Sequence, residues 1–160
     1  MKIINGEGIL NPFIAIVGEA PGAEEEIAGR PFVGRSGQLI NSIMSELGID
    51  RSQTYITNAV KFRPENNRTP TDVEISDWRS LLIEELYLVK PKIVITLGTV
   101  ALKALKPSLD FKITKIRGQL ITEYPYLVMP TFHPSYCLRN PNETDKLKED
   151  FKKVLEYANR

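Results

Sequence analysis

The sequence predicts an α/β fold: a three-layer α/β/α sandwich with a central four-stranded parallel sheet. Four short apolar runs have the length and composition of buried strands, at residues 13–17, 55–60, 93–97 and 127–132. Stretches with helical patterns separate these runs. Because strands that alternate with helices form parallel sheets covered on both faces, this order along the chain predicts the three layers.

The helices are predicted from apolar spacing and from end signals. Apolar residues at helical spacing mark a first helix over about 39–47. Thr71 has capping-box spacing to Glu74 and opens an amphipathic stretch that runs to about residue 89. Two more helices are expected to begin near residues 99 and 142. Residues 113–119 fit either a short strand or a loop, and the pattern leaves that choice open.

The composition is that of an ordinary globular protein, with 42% hydrophobic and 26% charged residues. The length of 160 residues and the lack of repeats favour one domain over residues 1–160. No apolar run approaches the roughly 20 residues that span a bilayer. The first residues lack the layout of a signal peptide, so we expect a cytoplasmic protein without membrane contact.

The charge balance gives no overall attraction to nucleic acid. With 21 basic and 20 acidic residues the net charge is +1, so any DNA binding must come from a local patch. Composition alone leans slightly towards an enzyme of small molecules. The single cysteine, Cys137, excludes an internal disulfide and a metal site made of cysteines only.

Polar and special-geometry residues cluster where the predicted strands end. Gly18, Asn58, Gly98 and His133 lie at or directly after the four strand ends. Ligands of open α/β sheets bind beyond the carboxyl ends of the strands, so these segments are expected to converge on one site. The glycine-rich segment after the first strand matches no phosphate-binding fingerprint.

Each of these residues also has a structural interpretation. Phe32, in a glycine-flanked loop, is either a core residue or a stacking platform for a flat ligand. Asn58 lies in an apolar run, and its amide finds its partners either at the sheet end or on a ligand. His133 is the only histidine, and a lone histidine is more often structural than catalytic, but its place after the fourth strand directs it to the expected crevice.

Several motifs in one order resemble the family-four uracil-DNA glycosylases. The match covers most of the chain, from about residue 14 to residue 141, and several ordered motifs are more specific than any single one. The fold implied by the resemblance is the α/β/α sandwich already predicted from the strand and helix pattern. The matching segments are residues 18–22, 29–39, 55–61, 67–70, 113–118 and 132–136.

The resemblance implies three residues that recognise and release uracil. Phe32 matches the aromatic residue that stacks on the flipped base, and Asn58 matches the amide that reads the base edge. An amide accepts from uracil N3–H and donates to O4, whereas cytosine presents the opposite pattern at both positions. His133 matches the histidine near uracil O2, where a donor stabilises the charge that develops as the glycosidic bond breaks.

The residue that positions the attacking water is less well defined. The best-known glycosylase family carries an aspartate where this chain has Ala20, which the resemblance places beside the substrate. Glu19 is the first candidate for positioning water and Glu25 the second. Glu25 could instead line the pocket and exclude the thymine methyl group, and either glutamate could be structural.

Contacts to the DNA backbone require donors to phosphate. The candidates are Ser36, Lys115, Arg117, Ser135 and Arg139. Most basic side chains of any protein are simply solvated, and that interpretation also applies to these. The implied partner is uracil-containing DNA, and the protein is expected to act as a monomer.

The chain departs from the family in one respect. Family-four enzymes typically carry four cysteines that hold a [4Fe–4S] cluster, two of them before the first strand. The other two fall at Phe62 and Trp78 of this chain. Because such a cluster needs cysteine thiolates, we expect no iron–sulfur cofactor. We expect Phe62 and Trp78 to pack together as an apolar plug in its place.

Other functions fit parts of the pattern. One is a non-catalytic module that binds uracil-containing DNA or accompanies a polymerase. A second is a glycosylase for another deaminated base such as hypoxanthine, and a third is an α/β enzyme of nucleotides or sugar phosphates. The presence of Phe32, Asn58 and His133 together favours a monofunctional uracil-DNA glycosylase.

Overall fold

A five-stranded sheet forms the centre of the protein. The computed structural model describes residues 1–123 and 125–158. The strands are β1 (Glu7–Gly8), β2 (Ile14–Gly18), β3 (Tyr55–Asn58), β4 (Ile93–Leu97) and β5 (Leu127–Thr131), in the spatial order β1-β3-β2-β4-β5. The four predicted strands are confirmed and are parallel to their neighbours. The predicted strand count was one too low, because β1 is a two-residue antiparallel edge strand, too short to show a sequence pattern.

The described residues form seven α-helices. They are α1 (Ala23–Ala28), α2 (Arg35–Glu46), α3 (Asp72–Val89), α4 (Gly98–Leu105), α5 (Ile113–Ile116), α6 (Pro134–Arg139) and α7 (Thr144–Ala158). The capping box of α3 is confirmed, since Thr71 Oγ1 accepts from Glu74 N–H and the Glu74 carboxylate accepts from Thr71 N–H. Residues 113–119 contain α5, so neither of the two expected forms is correct. None of the described helices is long and apolar enough to cross a bilayer.

Successive residues of the strands point to opposite faces of the sheet, and their side chains belong to two separate hydrophobic cores. Ile14 and Ile16 point to one face and pack with buried residues of α2, α6 and α7. Ala15 and Val17 point to the other face and pack with α3 and α4. Because both faces of the sheet are covered, the central strands are apolar throughout, and β2 and β4 are buried at every position. This confirms the three-layer sandwich and directs the carboxyl ends of the parallel strands to one edge.

A buried ion pair attaches α7 to the sheet. Asp150 is fully buried and accepts hydrogen bonds from Arg117 Nε at 2.9 Å, Arg117 Nη2 at 2.6 Å and Thr131 Oγ1 at 2.6 Å. The guanidinium also lies over the Phe132 ring, 5.7 Å from its centroid. Arg117 therefore directs its Nε and Nη2 groups to the protein interior. These bonds argue against the expected role of Arg117 as a DNA contact, because they engage two of its three guanidinium nitrogen atoms within the protein.

Two aromatic rings meet at the positions where the family resemblance would place cluster cysteines. The ring centroids of Phe62 and Trp78 are 6.1 Å apart, with an angle of 33° between the ring planes. Both side chains are half-buried and pack against the core between the sheet and α3. The expected pairing is confirmed. It adds an apolar contact between the segment after β3 and α3, which the ion pair of Lys61 with Glu85 also joins.

We predict that Phe62→Ala shifts the emission of Trp78 to longer wavelength and increases its quenching by acrylamide. Trp78 is the only tryptophan, so its fluorescence reports this contact directly. Loss of the ring–ring contact alone should lower the free energy of unfolding by about 0.5–1.5 kcal/mol. Tyr87→Ala, at an exposed position of the same helix, is the control and should leave the emission unchanged. An unchanged emission in Phe62→Ala would contradict the pairing.

Candidate active site

A cavity of about 440 Å³ opens at the carboxyl ends of the parallel strands. It collects most of the residues expected from the sequence: Glu19, Ala20, Glu25, Phe32, Ser36, Asn58, His133, Ser135 and Arg139. Lys115 and Arg117 do not line it. Lys115 is exposed on α5, where its neighbour Thr114 borders a second cavity.

The floor of the cavity depends on the missing side chain of Gly18. Gly18 pairs with Asn58 across β2 and β3. A Cβ atom at Gly18 would lie 2.5 Å from Asn58 Oδ1 and 2.8 Å from Phe32 Cζ. Any larger residue would therefore fill the space where the amide and the aromatic ring converge. The sequence motif indicates a glycine here, but the reason for it, a close approach of two side chains, emerges only from the fold.

Asn58 presents an unused amide to the cavity. The residue is 3% exposed, and no described residue forms a hydrogen bond with its side chain. Its main-chain carbonyl accepts from the buried ammonium of Lys61, which also pairs with Glu85 at 2.7 Å. A buried amide without a protein partner is rare, so its donors and acceptor are available to a ligand.

Phe32 combines both interpretations of its sequence context. It is 8% exposed and belongs to the core that packs against α2, and its ring borders the cavity beside Gly18. Its backbone has a φ of 57°, in the left-handed region that bulky residues rarely adopt. The ring is thus a fixed wall of the cavity.

Glu25 clamps the loop that carries Phe32. Its Oε1 accepts from Gly22 N–H at 2.9 Å, and its Oε2 accepts from Val33 N–H at 2.9 Å and from Gly34 N–H at 2.6 Å. Because both carboxylate oxygens bind the main chain, the expected role of Glu25 in positioning water is corrected to a structural one. The sequence showed an acidic run here and gave no sign that one member folds back onto the loop.

Glu19 also lines the cavity, and its carboxylate, unlike that of Glu25, is not bound to the main chain. It is half-buried at the end of β2, and no described residue forms a hydrogen bond with its carboxylate. Burial raises the pKa of Glu19 above its ordinary value, because the charged form loses hydration. A carboxylate in this setting can accept a proton or a hydrogen bond from water more readily than an exposed one.

The position of His133 fixes its tautomer. His133 caps the N-terminus of α6, and its Nδ1 accepts from the Ser135 N–H at 3.0 Å and lies 2.6 Å from Ser135 Oγ. Burial, and after it the nearby Arg139 charge, lowers the pKa of His133 to about 4. The ring is neutral at neutral pH, and because Nδ1 accepts, the proton is on Nε2. Neutral His133 can therefore donate a hydrogen bond through Nε2–H, but it carries no extra proton to transfer as a general acid.

A second cavity of about 460 Å³ adjoins the first. The two share Glu19, Asn67, His133, Ser135 and Arg139. The second adds hydroxyl groups, those of Thr69, Thr99, Thr114 and Tyr136. Asn67 lies between the two cavities, a position that the motif around it did not reveal. The two cavities thus meet along the residues that they share.

The residues present do not fit an iron–sulfur cluster. A [4Fe–4S] cluster is held by cysteine thiolates, and the chain supplies one cysteine, Cys137, which is buried in α6. Over residues 1–123 and 125–158, no group of three histidine, cysteine, aspartate or glutamate residues is arranged to hold a metal ion.

Three side chains surround the first cavity: an aromatic ring, an amide without a partner among the described residues, and a neutral imidazole. This arrangement is typical of an α/β protein that binds a flat, hydrogen-bonding ring such as a nucleobase. The family model of the uracil DNA glycosylase superfamily matches residues 6–159. The chain belongs to this superfamily.

Individual relatives agree with this assignment. The chain is 43% identical to the type-4 uracil-DNA glycosylase of Sulfurisphaera tokodaii, over 97% of this chain and 74% of that protein. It is 42% identical to the type-4 enzyme of Thermotoga maritima, over 99% of this chain and 84% of that protein. It is also 31% identical to a DNA polymerase of Bacillus phage SP01, over 93% of this chain but only 16% of the polymerase.

We predict that Glu25→Gln destabilises the loop between α1 and α2. The glutamine amide would turn an NH₂ group towards main-chain donors, so at least one hydrogen bond to a charged group is lost, at about 1.5–3 kcal/mol. Urea unfolding measures this loss. Glu24→Gln removes the same charge from the same helix without breaking a bond, and equal stability of the two variants would contradict the clamp.

Proposed function

We propose that the chain is a monofunctional uracil-DNA glycosylase, which flips uracil out of DNA and hydrolyses its N-glycosidic bond to leave an intact abasic site. The observation that carries the proposal is the convergence of Phe32, Asn58 and His133 on one slot. Membership of the superfamily and the type-4 relatives support it. A single domain that acts as a cytoplasmic monomer, as expected from the sequence, completes the proposal.

Phe32 and Asn58 recognise the base in this mechanism. A base within a duplex is out of reach, so the enzyme extrudes the nucleotide into the cavity. The flipped uracil stacks on Phe32, and the Asn58 amide accepts from N3–H and donates to O4. Two observations support these roles: the amide has no partner among the described residues, and both side chains border the space above Gly18.

His133 stabilises the leaving group. Breaking the bond between C1′ and N1 leaves the electron pair on uracil, and the negative charge is shared with O2. The Nε2–H of neutral His133 donates a hydrogen bond to O2 and strengthens it as the charge develops. The low pKa of His133 supports this role, because a neutral donor stabilises the uracil anion without transferring its proton.

Glu19 receives the proton of the attacking water. The sugar left by bond cleavage carries positive charge at C1′, and water adds there as hydroxide while its proton passes to the Glu19 carboxylate. The raised pKa of Glu19 supports this role, since a more basic carboxylate is a better proton acceptor near neutral pH. Ala20 beside it leaves the space open.

Backbone contacts come from the rim of the two cavities. Ser36 lies in the first turn of α2, where main-chain N–H groups favour phosphate binding. Ser135 and Arg139 border both cavities and supply a hydroxyl and a positive charge. Lys115 is an outer contact at most, because it borders neither cavity.

The similarity to part of a phage DNA polymerase favours a second candidate, a module that binds uracil-containing DNA without releasing the base. One assay separates the two. The protein is incubated with an oligonucleotide containing a single uracil, treated with alkali, and examined for strand cleavage at that position. Cleavage only after alkali is expected. Binding without cleavage would favour the module, and borohydride trapping of a covalent adduct would contradict a monofunctional enzyme. Hypoxanthine in place of uracil tests the breadth of the substrate.

We predict that Asn58→Asp loses most of the preference for uracil over cytosine. A carboxylate only accepts hydrogen bonds, so it repels uracil O4 and accepts from the cytosine amino group. A mismatch of about 1–3 kcal/mol corresponds to about 5- to 160-fold in the ratio of kcat/KM values. Asn140→Asp, away from both cavities, is the control. Full uracil selectivity in Asn58→Asp would show that another group reads the base.

We predict that kcat/KM falls on acidification as Glu19 becomes protonated. Because the pKa of Glu19 is raised, the fall should lie above about pH 4.3, the ordinary value for glutamate. Glu19→Gln should lose this acid limb and at least about 100-fold in kcat. Glu46→Gln, at the far end of α2, should keep the wild-type profile. An acid limb that persists in Glu19→Gln assigns the titration to another group.

A further inference from the structure

We propose that Arg51 is a positioning residue for base recognition: its guanidinium holds Phe32 in the left-handed backbone conformation that brings the ring to the floor of the cavity. Arg51 lines neither cavity and lies outside the motifs that define the site. The proposal rests on the proposed function, because the ring matters only if it stacks on the base.

The conformation of Phe32 requires an external cause. Its φ of 57° lies in a region where the Cβ of a bulky residue is crowded by its own backbone. Such a conformation persists only when the surrounding structure over-determines it, and strain of this kind collects at ligand sites. Phe32 differs here from the other non-glycine residues with positive φ, which are three asparagines and one lysine.

Arg51 binds the two carbonyl groups on either side of the strained φ angle. Its Nη2 donates to Pro31 O at 2.8 Å, and its Nη1 donates to Phe32 O at 2.9 Å. Nη1 also donates to Asn41 Oδ1 at 2.8 Å, and Asn41 Nδ2 reaches the same Phe32 carbonyl at 3.4 Å. The planar guanidinium presents its donors in a fixed fork, which fits two successive carbonyls in a way that an ammonium group cannot.

The position of Arg51 is itself fixed. It begins a 3₁₀-helix, Arg51–Gln53, which Asp50 caps by accepting from Ser52 N–H. Its guanidinium lies 3.7 Å from the carboxylate of Glu7 in β1, and its side chain is 23% exposed. Arg51 thus ties the Phe32 loop to the edge of the sheet.

Other residues also contact the loop that carries Phe32, but apart from Asn41 they do not bind the carbonyl groups that Arg51 binds. Glu25 binds the N–H groups of Val33 and Gly34, which follow Phe32. Gly37 lets α2 approach the Phe32 backbone closely, since a Cβ there would lie 2.3 Å from the Phe32 carbonyl carbon. Only Arg51 and Asn41 hold the carbonyl side among the described residues, and Asn41 does so through the longer bond.

The test uses Arg51→Met, which removes the donors and keeps most of the side-chain length. We expect kcat/KM on a uracil-containing oligonucleotide to fall about 10- to 100-fold, as for a small misplacement of a binding group. Arg51→Lys restores the charge without the fork and should recover little. Arg30→Met is the matched control: it removes the bidentate partner of Glu7 but has no contact with Phe32, and it should keep activity within about twofold of wild type.

A double-mutant cycle separates positioning from general stability. In a Phe32→Ala background there is no ring to position, so Arg51→Met should then change kcat/KM by less than about twofold. An equal loss in both backgrounds would overturn the proposal, as would full activity of Arg51→Met alone. If Arg51→Met does not fold, Arg51→Lys and Asn41→Ala are taken through the same cycle.

A second readout does not depend on activity. Backbone chemical shifts and coupling constants of Phe32, measured by NMR, should show that its φ leaves the left-handed region in Arg51→Met and stays there in Arg30→Met. A left-handed Phe32 in Arg51→Met would overturn the clamp. Absence of glycosylase activity in the wild-type protein would instead refute the proposed function, and the NMR comparison would still decide the role of Arg51.

Discussion

The backbone of residues 31–34 is held by charges of opposite sign on its two sides. A guanidinium takes the carbonyls of Pro31 and Phe32, and a carboxylate takes the N–H groups of Val33 and Gly34. Main-chain dipoles bind both charged groups, and the guanidinium of Arg51 also lies 3.7 Å from the carboxylate of Glu7. The strained residue, Phe32, lies between them, and its ring approaches Gly18 at the floor of the cavity.

Two of the ionisable groups that line the cavity, Glu19 and His133, have pKa values shifted by one main physical cause. Burial acts on both in the direction that disfavours charge: it raises the pKa of Glu19 and lowers that of His133. One environment therefore yields a more basic carboxylate and a neutral hydrogen-bond donor. For His133, the nearby charge of Arg139 lowers the pKa in the same direction as burial does. The two groups thus have opposite tasks, which suits a reaction that separates charge between base and sugar.

The sequence was sufficient for the parts of the protein that are encoded locally. Apolar runs identified the four parallel strands, Thr71 marked its helix, and the strand ends located the site, because these depend on spacing alone. Contacts between residues far apart along the chain could not be predicted from the sequence. In the sequence, Glu25 is indistinguishable from the acidic residues beside it, and Arg117 is indistinguishable from a surface cation, since its partner Asp150 is distant along the chain. Arg51 is 19 residues from the carbonyl that it binds. A charged side chain has no sequence pattern that tells whether it will meet phosphate, water or the main chain.

The contact between Phe62 and Trp78 joins two segments without a cofactor. A cofactor has to be delivered, inserted and kept in one oxidation state, whereas two rings are complete when the chain leaves the ribosome. Segments joined by apolar contact do not come apart when oxidants are abundant or when iron is scarce. The contact between these two segments therefore depends neither on the supply of iron nor on its oxidation state.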